Sequence, residues 1–164
     1  MPQIEWNEDP DEEYFTDKPA WDCYGALSLW AAYEQLPNAT RPMTAEGWEN
    51  DPAFLTNRID SISRYQHLMA DTEIWLPLDL SKPVRTVAVD WSNVTVGSSP
   101  RLLNELRDLN SRTWQASDAQ IDQWCINGAE FGCPLETSAR FGFSVFYKLT
   151  SYSVERCMPM KLDY

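Results

Sequence analysis

The chain has 164 residues, 43 % hydrophobic, 13 % aromatic and 23 % charged, with a formal net charge of −12. A chain of this length fits one domain that can bury its own core without a metal or a disulfide, and its charge has the wrong sign for binding nucleic acid through counterion release. No run approaches the roughly 18 apolar residues of a membrane span, and Met1-Pro2-Gln3-Ile4-Glu5-Trp6 has neither the basic nor the apolar region of a secretory signal, so a cytoplasmic protein is expected.

In chain order, residues 1–21 read as an extended acidic arm. Over the first 22 residues Glu5, Glu8, Asp9, Asp11, Glu12, Glu13, Asp17 and Asp22 oppose only Lys18, so this segment carries −7 of the −12. Pro2, Pro10 and Pro19 interrupt any helical period. Trp6, Tyr14, Phe15 and Trp21 are interleaved with the acids, whereas solvated acidic tails usually lack large aromatics. The arm is therefore expected to be pinned to the core, to display aromatic anchors, or both.

Asp22 is placed to cap a helix running to about Leu36, with Cys23, Ala26, Leu27, Trp30, Ala31 and Tyr33 at three- and four-residue spacings and Pro37 as its stop. Pro37, Pro42 and Gly47 make 37–50 a loop. Asp51-Pro52 pairs a capping carboxylate with proline at the first helical position, and Leu55, Ile59, Ile62, Tyr65 and Met69 carry a helix to about Ala70. Residues 74–80 and 84–91 are apolar and β-branched but punctuated by Pro77 and Pro83, which predicts short edge strands or extended segments rather than a central sheet. Ser98-Ser99-Pro100 opens a helix lined by Leu102, Leu106 and Leu109, with Arg101/Glu105 and Asp108/Arg112 at i,i+4. Ser117 and Gln120 form a capping box for a shorter helix that ends at Asn127-Gly128. From 134 to 157 the apolar residues fit a strand or a helix; Pro134, Glu136, Arg156 and the length favour a helix, apolar on nearly every side and central to the fold. The expected fold is a mainly α single domain, 1–164. It is a bundle of about five helices (22–164) with a short extended or β segment near 74–91 and the arm at 1–21.

The residues that could carry chemistry do not assemble into a known set. His67 is the sole histidine and falls near a predicted helix end, where an imidazolium would favour the C-terminal dipole. A nucleophilic site would need a Ser or Cys partner within its reach, and no G-x-S-x-G elbow is present. Cys23, Cys125, Cys133 and Cys157 contain no C-x-x-C pair and read as free, mostly buried thiols. No H-E-x-x-H, Cys/His or EF-hand spacing implies a metal, and no Gly-rich loop with a following lysine implies a phosphate, so no cofactor is expected. Asp118 and Asp122 share a helix face at i,i+4, which the first-turn dipole explains without catalysis.

What remains is recognition of a basic protein. Carboxylates steer such an encounter and aromatic side chains anchor it. The candidate contacts are Trp6, Glu8, Asp9, Asp11, Glu12, Glu13, Tyr14, Asp17 and Asp22. The overall profile (small, acidic, tryptophan-rich, helical, without catalytic motifs) is similar to that of bacterial immunity proteins, which neutralise a cognate toxin by covering its active site or substrate groove. That resemblance is one of composition across the whole chain. It implies a non-enzymatic inhibitor and assigns no residues. Two alternatives stand beside it: a phage-encoded acidic inhibitor that mimics nucleic acid against a host defence protein, and an enzyme of unfamiliar type using His67 or a cysteine such as Cys23.

Overall fold

A computed structural model of the protein describes residues 7, 9, 11–13, 15–17, 19–59, 63–88 and 91–162, with Ile59 described by its backbone alone. Among them are six helices: α1 (Trp21–Glu34), α2 (Pro52–Ile59), α3 (Gln66–Met69), α4 (Ser99–Arg112), α5 (Asp118–Asn127) and α6 (Leu135–Arg156). Four strands, β1 (Ile74–Leu76), β2 (Val84–Val87), β3 (Asn93–Ser98) and β4 (Met160–Lys161), form one mixed sheet in the order β2-β3-β1-β4. The fold is thus α+β, 51 % helical, and the expectation of a mainly α bundle is overturned. The sheet is assembled from distant segments. β1 runs parallel to β3, with Trp75 opposite Gly97, and antiparallel to the C-terminal β4, with Ile74 opposite Lys161. β2 closes the other edge as a hairpin with β3.

β1 therefore lies inside the sheet, against the edge position expected for it, and Trp75 is fully buried. Pro77 does not prevent this because the strand ends at Leu76, one residue earlier. β2 does occupy an edge, with all four residues exposed.

The helix pair α1–α6 is the centre of the molecule, and α6 also packs against α4 and α5. α6 spans the expected segment, and Ala139, Phe143, Val145 and Phe146 are fully buried along it. The close approach of α1 and α6 depends on Gly142: a Cβ there would lie 2.3 Å from the Cys23 carbonyl oxygen, a backbone atom that cannot swing away. Gly142→Ala is expected to destabilise the protein by about 2 kcal/mol. Overpacking of this kind costs more than the roughly 1 kcal/mol that alanine gains over glycine inside a helix. Urea unfolding would check it, and an unchanged or raised midpoint would refute the tight crossing.

Local signals at helix ends hold where a side chain supplies the cap. The Asp51 carboxylate accepts from the Ala53 and Phe54 amides at 2.8 and 3.4 Å. Ser98 Oγ accepts from the Arg101 amide at 3.2 Å, and the Ser117/Gln120 capping box is present. α1 instead begins after Ala20, so Asp22 sits in its first turn rather than capping it. The single helix expected over 51–70 is broken into α2 and α3; residues 60–62 lie outside the described set. Ser63 Oγ accepts from the Tyr65 amide at 3.2 Å, and the Glu105 carboxylate of α4 accepts from His67 and Leu68 amides at 2.9 and 3.0 Å. These acceptors satisfy the first amides of a new helix, so the chain restarts there. The four cysteines are free, but only Cys23 is buried; Cys125 and Cys133 are half-buried and Cys157 is exposed.

Candidate protein-binding face

The arm is docked onto the C-terminal half of α6. The Asn7 amide donates to the Cys157 carbonyl at 3.1 Å, Glu12 pairs with Arg156 at 3.1 Å, and the Tyr152 hydroxyl donates to the Glu13 carbonyl. The Phe15 ring meets Tyr152 with centroids 5.8 Å apart, and the Cys125 thiol of α5 reaches the Asp17 carboxylate at 3.7 Å. The Asx turns at Asn7 and Asp9, whose side chains accept the Asp9 and Asp11 amides at 2.9 Å, hold these residues out of helix as the arm crosses the surface.

Docking leaves most of the described arm carboxylates outside. Asp9, Asp11 and Glu13 are exposed and form no ion pair with any described residue. Glu12 is half-buried and neutralised by Arg156, so it contributes less to an external field. Asp17 is half-buried against α5. Asp22 is half-buried in the first turn of α1. Trp6, Glu8 and Tyr14 lie outside the described residues.

Beside the arm, α5 and α6 enclose a groove of about 380 Å³ that Phe15 helps to line. Its floor is Ile121, Tyr147 and Tyr152, and its rim carries Asp118, Asp122 and Glu155. Lys148 is paired with Asp122 at 2.8 Å, and this bond holds the ammonium pKa above its ordinary value. Among the described residues, counting the arm, eight carboxylates (Asp9, Asp11, Glu12, Glu13, Asp17, Asp118, Asp122 and Glu155) share this face with Lys148, Arg156 and Lys161. An apolar aromatic floor inside a carboxylate rim suits a long cationic side chain, whose stem packs while its head is neutralised.

No known protein family, curated protein or solved structure matches this chain.

The groove residues were not among the sequence candidates. Asp118 and Asp122 were visible as an i,i+4 pair, but the helix dipole accounted for them. Tyr147, Ser151 and Glu155 also recur at i,i+4, with Lys148 and Tyr152 one position on. This stripe on α6 was the available signal, and it was hidden within a helix read as apolar on nearly every side.

His67 proves different from an exposed, charged helix-end residue. It is 2 % exposed, and its Nδ1 accepts the Ser98 amide at 3.0 Å, which places the proton on Nε2. Its pKa is lowered to about 4, chiefly by burial and then by the Arg101 charge, with the Leu80 backbone and Asp79 acting weakly the other way. The partner at Nδ1 is a backbone amide, and the nearby Ser98 hydroxyl is occupied in capping α4 and donating to the Leu78 carbonyl. The Cys23 thiol is pushed up to about 11, mainly by burial, which keeps it protonated at neutral pH. Among the described residues no group of three His, Cys, Asp or Glu side chains could hold a metal ion, and no helix is long and apolar enough to cross a membrane.

Proposed function

We propose that this protein is a non-enzymatic acidic binding protein of the cytoplasm, an immunity protein that neutralises a cognate toxin by occluding a basic surface or active site. The observation that carries this reading is the docked arm. It holds Asp9, Asp11 and Glu13 outward beside a groove that is aromatic at its floor and acidic at its rim. A tied-down arm costs less conformational entropy on binding than a free tail, so its carboxylates act as a preorganised patch. The exposed acids steer the encounter, and the groove supplies an anchor for one arginine or lysine of the partner.

Glu12 belongs to the arm's attachment, through Arg156, so the test should spare it. The triple variant Asp9→Asn, Asp11→Asn, Glu13→Gln keeps every contact by which the described arm is held to α5 and α6. Tagged wild-type protein in lysate of the native host is expected to capture a basic protein, and the variant is expected to lose most of it. With the partner purified, the wild-type association rate should fall steeply with salt, and removing three steering charges should slow it about tenfold at low ionic strength. Equal capture and an equal low-salt on-rate for the two proteins would remove the arm from the interface and defeat the proposal.

A further inference from the structure

At the edge of the sheet opposite β4, strand β2 has all four residues exposed. Its backbone is only half used. The Ala88 amide donates to the Ser92 carbonyl at 2.8 Å, and the register sets Thr86 opposite Val94 and Val84 opposite Val96. Backbone groups alternate in direction along an antiparallel strand. Val84, Thr86 and Ala88 therefore face β3, while Arg85 and Val87 turn their N–H and C=O groups outward, where no described residue takes them up.

An open edge of this kind invites a further strand, and proteins commonly blunt it with charge or proline. Lys82, Pro83 and Arg85 stand at this one. Other cations of the fold are tied down in ion pairs, whereas Lys82 and Arg85 pair with no described residue. Between residues 80 and 98 the sequence sets Lys82 and Arg85 against Asp90 alone, a net +1 in a chain of −12, and Asp90 lies outside the described residues. Val84 and Val87 add exposed apolar surface. At the hairpin tip the Trp91 indole is 87 % exposed on a left-handed backbone (φ 68°), a conformation that bulky side chains rarely hold.

We infer that β2 docks an extended acidic segment of another protein, which joins the sheet as a fifth strand through the outward backbone groups of Arg85 and Val87. In strand addition the main-chain hydrogen bonds supply affinity, and alternate side chains supply the choice of partner. A second copy of β2 is disfavoured, because a two-fold pair of these edges sets two Arg85 side chains diagonally on one face. The same cations attract a strand that carries carboxylates. Arm residues 15–17 lie beside β4, three strand spacings or at least about 14 Å away. With a Debye length of about 8 Å at physiological salt, the local charge at β2 prevails over theirs. The edge shares no residue with the arm or its groove, so toxin binding and strand addition can fail separately.

The probe is an acetylated, amidated hexapeptide alternating glutamate and valine, titrated into the isotope-labelled full chain and followed by nuclear magnetic resonance. Saturable shifts centred on the Arg85 and Val87 amides are expected at about millimolar peptide or below, with slower hydrogen exchange at both. The matching lysine–valine hexapeptide should bind about tenfold more weakly, and Arg85→Glu should reverse that preference. Val87→Pro removes an outward N–H and no bond to β3, so the fold is kept, as the Thr86 and Ala88 amide signals will report, while glutamate–valine binding falls about fivefold. Unmoved Arg85 and Val87 amides at several times that peptide concentration would overturn the inference. So would equal binding of the two peptides, an unreversed preference in Arg85→Glu, or self-association through these amides without peptide.

Discussion

Phe146→Ala is expected to remove about 4 kcal/mol of stability, a large part of the total for a domain of this size. Phe146 is fully buried on α6 and joins the helical layer to the sheet. It stacks on Tyr24 of α1 at 5.5 Å and meets the edge of Trp75 of β1 at 5.9 Å. Neither neighbour can move in to fill the space. The Tyr24 hydroxyl donates to the Leu68 carbonyl at 3.0 Å, and Trp75 Nε1 donates to the His67 carbonyl at 2.8 Å. Collapse would break a buried hydrogen bond, so the cavity persists and the loss falls high in the range for such truncations. Urea unfolding followed by far-ultraviolet circular dichroism measures it. Phe131→Ala, at a residue 95 % exposed, should stay within about 0.5 kcal/mol of wild type. Comparable losses in the two variants would mean that Phe146 is not the joint between the layers.

The helices were legible because their determinants are local. Asp51, Ser98 and the Ser117/Gln120 pair announce helix starts within a few residues, and the apolar period of α4 and the length of α6 do the rest. The sheet was hidden for the opposite reason. β1 is three residues long and β4 two, and their pairing joins residue 74 to 96 and to 161. No short window contains both sides of such a ladder, so period and propensity carry little of it. The same holds for the break in 51–70, where the acceptor that starts α3 is Glu105, far along the chain. At the candidate face the arm's charge was plain in the sequence. Its docking on Tyr152, Arg156 and Cys125 was not, since that depends on which stripe of α6 the chain end crosses.

Glu105→Ala is expected to cost about 3 kcal/mol, because the amides of Gln66, His67 and Leu68 would all lose the carboxyl they donate to, at a half-buried site. The carboxyl's pKa is pushed up to about 8, since burial outweighs those three donors, which favour the anion. A raised carboxyl pKa stabilises the fold fully below its ordinary value near 4.5, and that stability is lost as pH rises through 8. His67 runs in the other sense. With its pKa lowered from 6.5 to about 4, it contributes stability that is present above 6.5 and lost as pH falls toward 4. Between about 4.5 and 6.5 the two slopes oppose each other and stability is nearly flat. Above 6.5 histidine is neutral in both states, and Glu105 alone imposes a fall of about 2 kcal/mol by pH 8. Glu105→Gln keeps an acceptor for the amides and removes the titration, so its profile should be level from pH 6.5 to 8. Chemical denaturation of both proteins across that interval decides the matter. A level wild-type profile, or the same fall in the variant, would show that this carboxyl is already ionised in the folded protein and that the three amides, rather than burial, set its charge.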